Sequence, residues 1–297
     1  MDEKSSNQHG RGSTTRHESL SESNRQLTET IIRLRESINR LKEINKDLNT
    51  KYSKQKEFIS IAAHELRSPI MPILGTLELI EYEFGETNKT EVKLKKERFE
   101  ILVRNAARLE RLVSEILDIT RIDDQSLRLN KESFNLNEIV LDAIEDQKTQ
   151  IEKRNGNTKL LCEFKTDREE KVSRGLDKPA GDIFVYADKN RINQVISNLV
   201  TNAIKFTKEG VVSVSVTKME DEVIFVVKDT GTGIHPEISP RLFSRFATMS
   251  QTGTGLGLFI SKNIVEAHGG KIWGQNNADG KGATFAFSLS SKDPYFN

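Results

Sequence analysis

The sequence has a single cysteine, Cys162, so it cannot form an internal disulfide framework, which fits a reducing compartment. No apolar run is long enough to cross a bilayer, and the polar N-terminus lacks the hydrophobic stretch of a signal peptide. We therefore expect a cytoplasmic protein without a transmembrane segment. Neither sign of charge is in excess, because 45 Lys and Arg face 44 Asp and Glu, so nothing indicates nucleic acid as a partner.

Aromatic residues are scarce, at 6% of the 297 residues, whereas charged residues make up 30%. This balance is typical of long solvated helices beside one ordinary globular core. Residues 1–24 are rich in Ser, Asn, Gln, Arg and Glu and have almost nothing to bury, so a disordered polar tail is expected there.

A heptad pattern begins at Leu27, with spacings that alternate between four and three. Its members are Leu27, Ile31, Leu34, Ile38, Leu41, Asn45, Leu48 and Tyr52. Leucine at d, isoleucine at a and one asparagine at a favour a parallel two-stranded coiled coil over residues 25–57, and hence a homodimer. The alternative is one amphipathic helix lying on the body of the protein, but a stripe this narrow suits a partner helix better.

The repeat continues through Ile59, Ala62 and Leu66 into the segment His64-Glu65-Leu66-Arg67-Ser68-Pro69. A polar turn is predicted at residues 85–88, and a second amphipathic helix follows it. The apolar positions of that helix are Leu102, Ala106, Leu109, Val113 and Ile116. Residues 58–124 therefore predict a helical hairpin, and a dimer of hairpins makes a four-helix bundle.

The pattern changes after Asp124 to alternating strands and helices. Strands are predicted at 159–165, 182–186, 210–217, 222–228 and 283–289, and helices at 136–153, 190–206 and 256–268. Residues 130–292 therefore predict an α+β or α/β sandwich. The polar stretch 166–181 is expected to be a surface excursion, and Trp273 is expected in the core.

A polar stripe lies along the helix predicted at 190–206. Asn198, Asn202 and Lys205 are spaced four and three apart and therefore share one side of the helix. Asparagine is a poor residue for a helix interior, so two of them on one stripe suggest a ligand. Their amides could bind hydrated Mg²⁺ and phosphates, with Lys205 supplying positive charge. A solvated polar face is an equally good interpretation of this helix alone.

Three glycine segments follow. The strand at 222–228 ends at Asp229-Thr230-Gly231-Thr232-Gly233, where a carboxylate could accept a hydrogen bond from the exocyclic amine of a base. Gly253-Thr254-Gly255-Leu256-Gly257 opens a helix and indicates a phosphate site. Gly280 and Gly282 precede the last strand, and by themselves they indicate only a turn before an edge strand. The spacings match neither the dinucleotide fingerprint nor the Walker A pattern, so a different kind of ATP site is predicted.

Together these segments resemble the two-domain core of a sensor histidine kinase, over residues from about 26 to 291. Residues 58–69 are similar to that family's acceptor-histidine segment. The other segments are similar to its successive ATP-site segments: the Asn198/Asn202 helix, the Asp229 turn, Phe243-Ser244-Arg245-Phe246, residues 253–257 and the Gly280/Gly282 turn. Each segment alone is weak, but their order is specific.

The resemblance implies a dimeric helical bundle followed by a two-layer α/β sandwich of the GHKL ATPase type, with ATP and Mg²⁺ as cofactors. It implies autophosphorylation of His64 and transfer to an aspartate of a response-regulator receiver domain, with an upstream sensor protein as a further possible partner. By position, Asn202 would ligate Mg²⁺, Asn198 and Lys205 would lie near the phosphates, and Asp229 would contact adenine. The remaining ATP contacts implied by position are Gly231, Gly233, Phe246, Gly253, Thr254, Gly255, Leu256, Gly257 and Thr284.

The residues around the acceptor support this chemistry. Neutral imidazole leaves one ring nitrogen of His64 free to attack phosphorus, while Glu65 can hold the other nitrogen and receive its proton. Heptad position f places His64 away from the seam, and Pro69 is expected to bend the helix below it. Ser68 stands where the family more often has threonine or asparagine, a position associated with phosphatase activity. The lid between Phe246 and Gly253 is also short.

Three rival interpretations stand beside this one. The first, a scaffold that binds nucleotide but has lost phosphoryl transfer, is disfavoured by the presence of Asn202, Asp229 and Glu65. An ordinary exposed histidine next to a proline kink would explain His64 without any ATP site. An ATP-gated structural dimer, similar to chaperone or mismatch-repair ATPases, would share the pocket but lack the coiled coil and His64, so His64 discriminates between these classes.

Overall fold

The computed structural model describes residues 9–87, 95–153, 157–166, 182–248 and 253–291. The chain divides into two compact units, of which the first ends at Ser68 and the second begins at Pro69. In the described residues, no helix combines the length and the apolar character that a bilayer span requires.

The described part of the first unit is a single helix, the N-terminal part of α1 (His9–Thr87). The structure differs here from the disordered tail expected over residues 1–24, because helix begins at His9; residues 1–8 lie outside the described residues. Arg, Gln and Glu are good helix formers, so a segment with little to bury can still extend an existing helix. The predicted apolar stripe lies exposed along α1, from Leu27 and Ile31 to Leu48 and Tyr52.

The second unit begins with a helical hairpin, made by the end of α1 and by α2 (Lys96–Asp123). Helix α1 stays α-helical through Pro69 and Pro72, and it reaches Thr87, so three residues of the turn predicted at 85–88 are helical instead. Arg98 of α2 donates two hydrogen bonds of 2.7 Å to the Glu83 carboxylate of α1. This bidentate pair ties the two helices together near their connection.

The rest of the unit is a two-layer α/β sandwich, as predicted. A mixed sheet has the order β2-β4-β5-β7-β6, in which β2 (Asn157–Thr166) pairs parallel to β4 (Glu209–Lys218) and the other neighbours are antiparallel. The remaining strands of the sheet are β5 (Glu222–Asp229), β6 (Lys271–Asn276) and β7 (Ala283–Ser290). A separate antiparallel pair joins β1 (Glu132–Asn135) to β3 (Phe184–Ala187). Helices α3 (Leu136–Lys153), α4 (Lys189–Phe206) and α5 (Gly257–Ala267) pack on the sheet.

Alternating apolar residues form the core between the two layers. Val212, Val214 and Val216 of β4 are buried, every second residue of β5 is buried, and the rings of Phe225 and Phe287 stack with centroids 5.0 Å apart. Cys162 is buried on β2, and burial raises the pKa of its thiol to about 12. The sheet and the helices packed on it thus enclose a continuous apolar core.

Two strands and one side chain differ from the sequence prediction. The sequence pattern did not predict strands β1 and β6, because both are short and have few apolar side chains, one in β1 and two in β6. The expectation that Trp273 lies in the core is wrong, since it is 39% exposed on the edge strand β6. Strand β7 is not an edge strand, because β5 and β6 pair with its two sides. The surface excursion predicted at 166–181 falls, from 167 onward, outside the described residues.

Candidate functional site

The candidate acceptor lies on α1, in the first unit. The His64 side chain is 76% exposed, and its Nδ1 is 3.7 Å from Oε1 of Glu65, whose side chain is mostly covered. That distance is too long for a hydrogen bond but places the carboxylate beside one ring nitrogen. The other nitrogen, Nε2, is therefore the one left for an incoming electrophile. Ser68, also exposed, is four residues further along the same side of the helix.

The polar stripe of α4 is in contact with the start of α5. Asn198 donates from Nδ2 to Ser261 Oγ at 3.0 Å, and Asn202 donates from Nδ2 to Asn198 Oδ1 at 3.4 Å. A side chain at Gly257 would place its Cβ 2.4 Å from Asn198 Oδ1, so any residue but glycine would displace the Asn198 amide. These bonds orient both amides, and Oδ1 of Asn202 accepts no hydrogen bond within the described ranges.

Positive charge is concentrated at the C-terminal end of the stripe. The pKa of Lys205 is lowered, chiefly by burial and then by the positive charges of Arg111 and Arg108 on α2. Three cations therefore face one region, which makes that region attractive to a polyanion such as a triphosphate. The sequence analysis missed the two arginines; an Arg pair spaced three apart on the second hairpin helix was the available signal.

The Asp229 carboxylate sits at the end of β5 and is held by backbone amides. Its Oδ1 accepts N–H bonds from Gly231 at 2.9 Å and Ala283 at 3.2 Å. Burial raises the pKa of Asp229, although these two bonds act in the opposite direction. Oδ2 makes no hydrogen bond to the rest of the described chain and so remains available to a base amine.

The Gly280/Gly282 turn belongs to this site and is more than a turn before a strand. A Cβ at Gly282 would lie 2.0 Å from the Asp229 carbonyl oxygen, so only glycine permits the approach. Asn277, which the sequence analysis missed, donates to the same carbonyl at 2.7 Å, and Thr284 donates from its hydroxyl to Asn277 Oδ1 at 2.6 Å. A buried asparagine thus links the glycine turn to the Asp229 loop.

The two glycines after Asp229 allow the loop to pack closely against neighbouring residues. A Cβ at Gly231 would lie 2.3 Å from the Phe206 carbonyl oxygen. Gly233 has φ +72° and faces Asn276, whose Oδ1 accepts the Ile234 N–H at 2.6 Å. Both glycines therefore shape the loop below the Asp229 carboxylate.

The lid segment, residues 246–257, is described at its two ends; residues 249–252 lie outside the described ranges. Phe246 has φ +58° and packs against Gly255, where a Cβ would lie 2.6 Å from the Phe246 carbonyl carbon. Thr254 is buried and accepts the Leu256 N–H at 3.2 Å, directly before α5. Phe243 packs on a small cluster formed by Ile234, Ile238, Leu242 and Ala283.

Three carboxylates of helix α2 make polar contacts with the sandwich. Glu115 accepts a hydrogen bond from Thr254 Oγ1 at 2.9 Å. Asp118 accepts from Arg191 Nη1 at 2.8 Å and from Gln194 Nε2 at 2.9 Å, both on α4. Asp123 pairs with Arg245, whose guanidinium lies 4.8 Å from the Phe259 ring centroid. Sequence reasoning predicted none of these contacts.

A metal at this site would depend on substrate oxygens. The described residues contain no group of three or more His, Cys, Asp or Glu side chains suited to a metal ion. The Asn202 amide oxygen is a donor that Mg²⁺ accepts, and Mg²⁺ commonly completes its shell with phosphate oxygens and water. Asn202 therefore fits the role of a single protein ligand.

Comparison with known families agrees with this geometry. Residues 54–125 match the His Kinase A (phospho-acceptor) domain, and residues 187–293 match the histidine kinase-, DNA gyrase B- and HSP90-like ATPase family. The chain belongs to the sensor histidine kinases. It is 34% identical over 242 residues to the sensor protein SrrB of Staphylococcus aureus, covering 79% of this chain and 38% of that protein.

Solved structures show the same architecture. The histidine kinase AdeS of Acinetobacter baumannii is 26% identical, with a TM-score of 0.57, over 77% of this chain and 98% of its own. The histidine kinase ThkA, solved in complex with the response regulator TrrA, is 31% identical with a TM-score of 0.55, over 80% of this chain and 61% of its own.

Proposed function

We propose that this protein is an ATP-dependent protein-histidine kinase that phosphorylates itself on His64 and passes the phosphoryl group to an aspartate of a response-regulator receiver domain. The observation that carries the proposal is an exposed histidine beside a carboxylate, within a match to the phospho-acceptor domain, on a chain that also matches the ATPase family over residues 187–293. The rival class, an ATP-gated structural dimer, is not favoured, because it gives no role to the acceptor segment.

The residues predicted to bind nucleotide support ATP as the phosphoryl donor. Asp229 Oδ2 would accept the adenine amine, while Asn198, Lys205 and the amides of Gly253, Gly255 and Gly257 would surround the phosphates. Phe246, Leu256 and Thr284 would line the nucleotide, and Gly231 and Gly233 would hold the base loop. Asn202 would hold Mg²⁺, which neutralises phosphate charge when bound.

The acceptor chemistry follows from the arrangement of His64 and Glu65. The lone pair on Nε2 attacks the γ-phosphorus, a nitrogen–phosphorus bond forms, and the bond to the bridging oxygen of ADP breaks. The imidazole becomes cationic in this step while Nδ1 keeps its proton. The adjacent Glu65 carboxylate offsets that positive charge and can take the proton.

Labelling with γ-labelled ATP and Mg²⁺ tests this function. We expect wild type to form an acid-labile, base-stable phosphoprotein, and His64→Gln to lose the label. His17→Gln, on the same helix, is the matched control and should label like wild type. An unlabelled wild type, or a His64→Gln protein that labels as strongly, would refute the proposal.

The partners follow from the same reasoning. The coiled coil and the hairpin, residues 27–123, would form the homodimer, and a receiver domain would accept the phosphoryl group, as the ThkA–TrrA complex suggests. An upstream sensor protein would supply the input, and we place this kinase core in the cytoplasm, where ATP is available. A receiver with its acceptor aspartate changed to asparagine should leave the label on His64.

A further inference from the structure

Two consecutive asparagines at the end of β6 contact the backbone of the Asp229 loop, residues 229–234. Asn276 faces the last residue of the loop: its Oδ1 accepts the Ile234 N–H at 2.6 Å, and its Nδ2 donates to the Ile234 carbonyl oxygen at 3.0 Å. Asn277 faces the first residue, because its Nδ2 donates to the Asp229 carbonyl oxygen at 2.7 Å. The two neighbouring side chains therefore hold both ends of the loop.

The partners of the two amides fix the direction in which each amide points. Asn276 meets an N–H with its oxygen and a carbonyl with its nitrogen, so a rotated amide would lose both bonds. Asn277 Nδ2 meets two carbonyl oxygens, those of Asp229 and of Lys281, the latter at 2.6 Å. The Asn277 Oδ1 is consequently directed at the Thr284 hydroxyl, whose hydrogen bond it accepts. An alanine at either asparagine would remove these partners from the loop backbone.

The backbone around the loop leaves room for these contacts. Gly233 has φ +72°, and a Cβ there would lie 2.8 Å from Asn276 Oδ1, so a side chain at this position would push the amide away. The Asn277 N–H donates to the Gly282 carbonyl oxygen at 3.1 Å, which joins the end of β6 to the turn before β7. The loop is thus fastened to the edge of the sheet by side chains as well as by main chain.

We propose that Asn276 and Asn277 are positioning residues for base recognition, because they hold the loop that presents Asp229 in its binding geometry before a nucleotide arrives. A loop that is ordered in advance loses less conformational entropy when its ligand binds. The effect should concern the contact between Asp229 Oδ2 and the amine of adenine, and not the contacts with the phosphates. The inference rests on the ATP site proposed above and adds what sets its selectivity for the base.

The test compares the affinities of the full chain for ADP and for inosine diphosphate, each with Mg²⁺. The two ligands share their sugar and phosphates, but inosine has an oxygen in place of the amine that Asp229 would bind. Wild type should prefer ADP by about tenfold or more, because a site built to accept from an amine rejects a base without one. Asn276→Ala and Asn277→Ala should reduce this preference to about threefold or less, chiefly through weaker binding of ADP. Asn190→Ala, at an exposed asparagine of α4, is the matched control and should keep the preference.

A purely structural role of the asparagines would give a different result. Both nucleotides would then bind more weakly by the same factor, or as before, and an unchanged preference in the variants that fold would overturn the proposal. Asn276 is exposed whereas Asn277 is buried, so Asn276→Ala keeps the test decisive if the second variant does not fold. A wild type that binds neither nucleotide would instead refute the ATP site, and one without preference would refute the Asp229 base contact.

Hydrogen exchange in the unaltered protein is a second check. The Ile234 N–H should be protected from exchange without nucleotide, since Asn276 is its acceptor, and Asn276→Ala should remove that protection. An Ile234 amide that exchanges freely in the nucleotide-free protein and is protected only after ADP binds would show that the loop is not held in advance. That result would refute the positioning role while leaving the ATP site intact.

Discussion

Asp229, which we propose as the adenine-binding residue, would favour ligand binding at a cost in stability. Burial raises its pKa, so the ionised form is disfavoured in the fold. The ionised form is nevertheless the acceptor that an adenine amine requires. A carboxylate kept charged in a buried position is common where function outweighs stability.

Asp229→Asn should therefore weaken ATP binding and stabilise the protein at neutral pH. The loss in affinity should be about tenfold or more, because an amide can present its NH₂ to the base amine in place of an acceptor. A raised pKa means that ionisation penalises the folded state above that pKa, and that the penalty disappears below the unfolded value. The gain in melting temperature over wild type should accordingly be present at pH 7 and shrink as the pH falls.

Calorimetric titration with ATP and thermal melts at several pH values check both effects. Asp142→Asn, an exposed change on α3, is the control and should alter neither affinity nor melting temperature. A variant that binds ATP as wild type does would remove Asp229 from the base site.

Two glycines give opposite expectations for the same substitution. Gly257→Ala would force a Cβ to 2.4 Å from Asn198 Oδ1 and should destabilise the protein by about 1–3 kcal/mol, with loss of ATP affinity. Gly75→Ala has nothing within 4 Å and lies inside α1, so it should stabilise by up to about 1 kcal/mol. Urea denaturation of both variants measures the difference, and shifts of the same sign would contradict the close packing of α5 on α4.

At the scale of elements, the spacing of apolar residues predicted the helices whose bounds depend on local sequence. Helix α3 has the bounds that its pattern predicted, and α4 begins one residue earlier than expected, because both have long, regular apolar faces. Strand β6 was missed because it is an edge strand, which pairs with one neighbouring strand only and has few apolar residues to produce a pattern. The helix at residues 9–24 was missed because the prediction considered only how few apolar residues this segment can bury. An exposed helix can form from residues of high helix propensity without burying any of them.

The coiled coil predicted on α1 depends on one polar layer. Asn45 lies at an a position and bonds to Asn49 at 3.0 Å within the chain. Asn45→Ile should make the dimer more stable, by roughly tenfold or more in dissociation constant, and should weaken its preference for one register and two strands. Sedimentation equilibrium measures both, and Asn39→Ile at position b is the control that should leave the dimer unchanged. A monomeric wild type would contradict the prediction from the outset.

At the scale of the whole molecule, the contacts of α2 with the sandwich could not be predicted from sequence. Asp118 and Arg191 are 73 residues apart, and nothing in either helix indicates the other. The glycines and asparagines predicted for the site could be singled out from the sequence because these residue types are unusual where they stand, and their roles in the site stay predictions. Arg108, Arg111, Glu115 and Asn277 were not, because their residue types are ordinary for a surface and only tertiary placement makes them neighbours of the site.

Removing the buried Asp118 carboxylate from the contact between α2 and α4 should therefore lower the stability of the whole unit. Asp118→Ala would leave Arg191 without its main acceptor, and breaking such a buried pair should lower the free energy of unfolding by about 3 kcal/mol. Chemical denaturation followed by circular dichroism measures the change. Asp124→Ala, at an exposed position just after α2, should change it by no more than about 0.5 kcal/mol. Equal effects of the two variants would show that the α2 contact contributes little to stability.

The buried position of Cys162 has a practical consequence. A thiol with a pKa of about 12, enclosed in the core, should not react with a maleimide or a disulfide reagent while the protein is folded. The native chain is thus already suited to labelling, and a cysteine introduced on α2 or on the lid would carry a fluorophore alone. Reaction of the native thiol, followed against denaturant, would in turn report how often the sandwich opens.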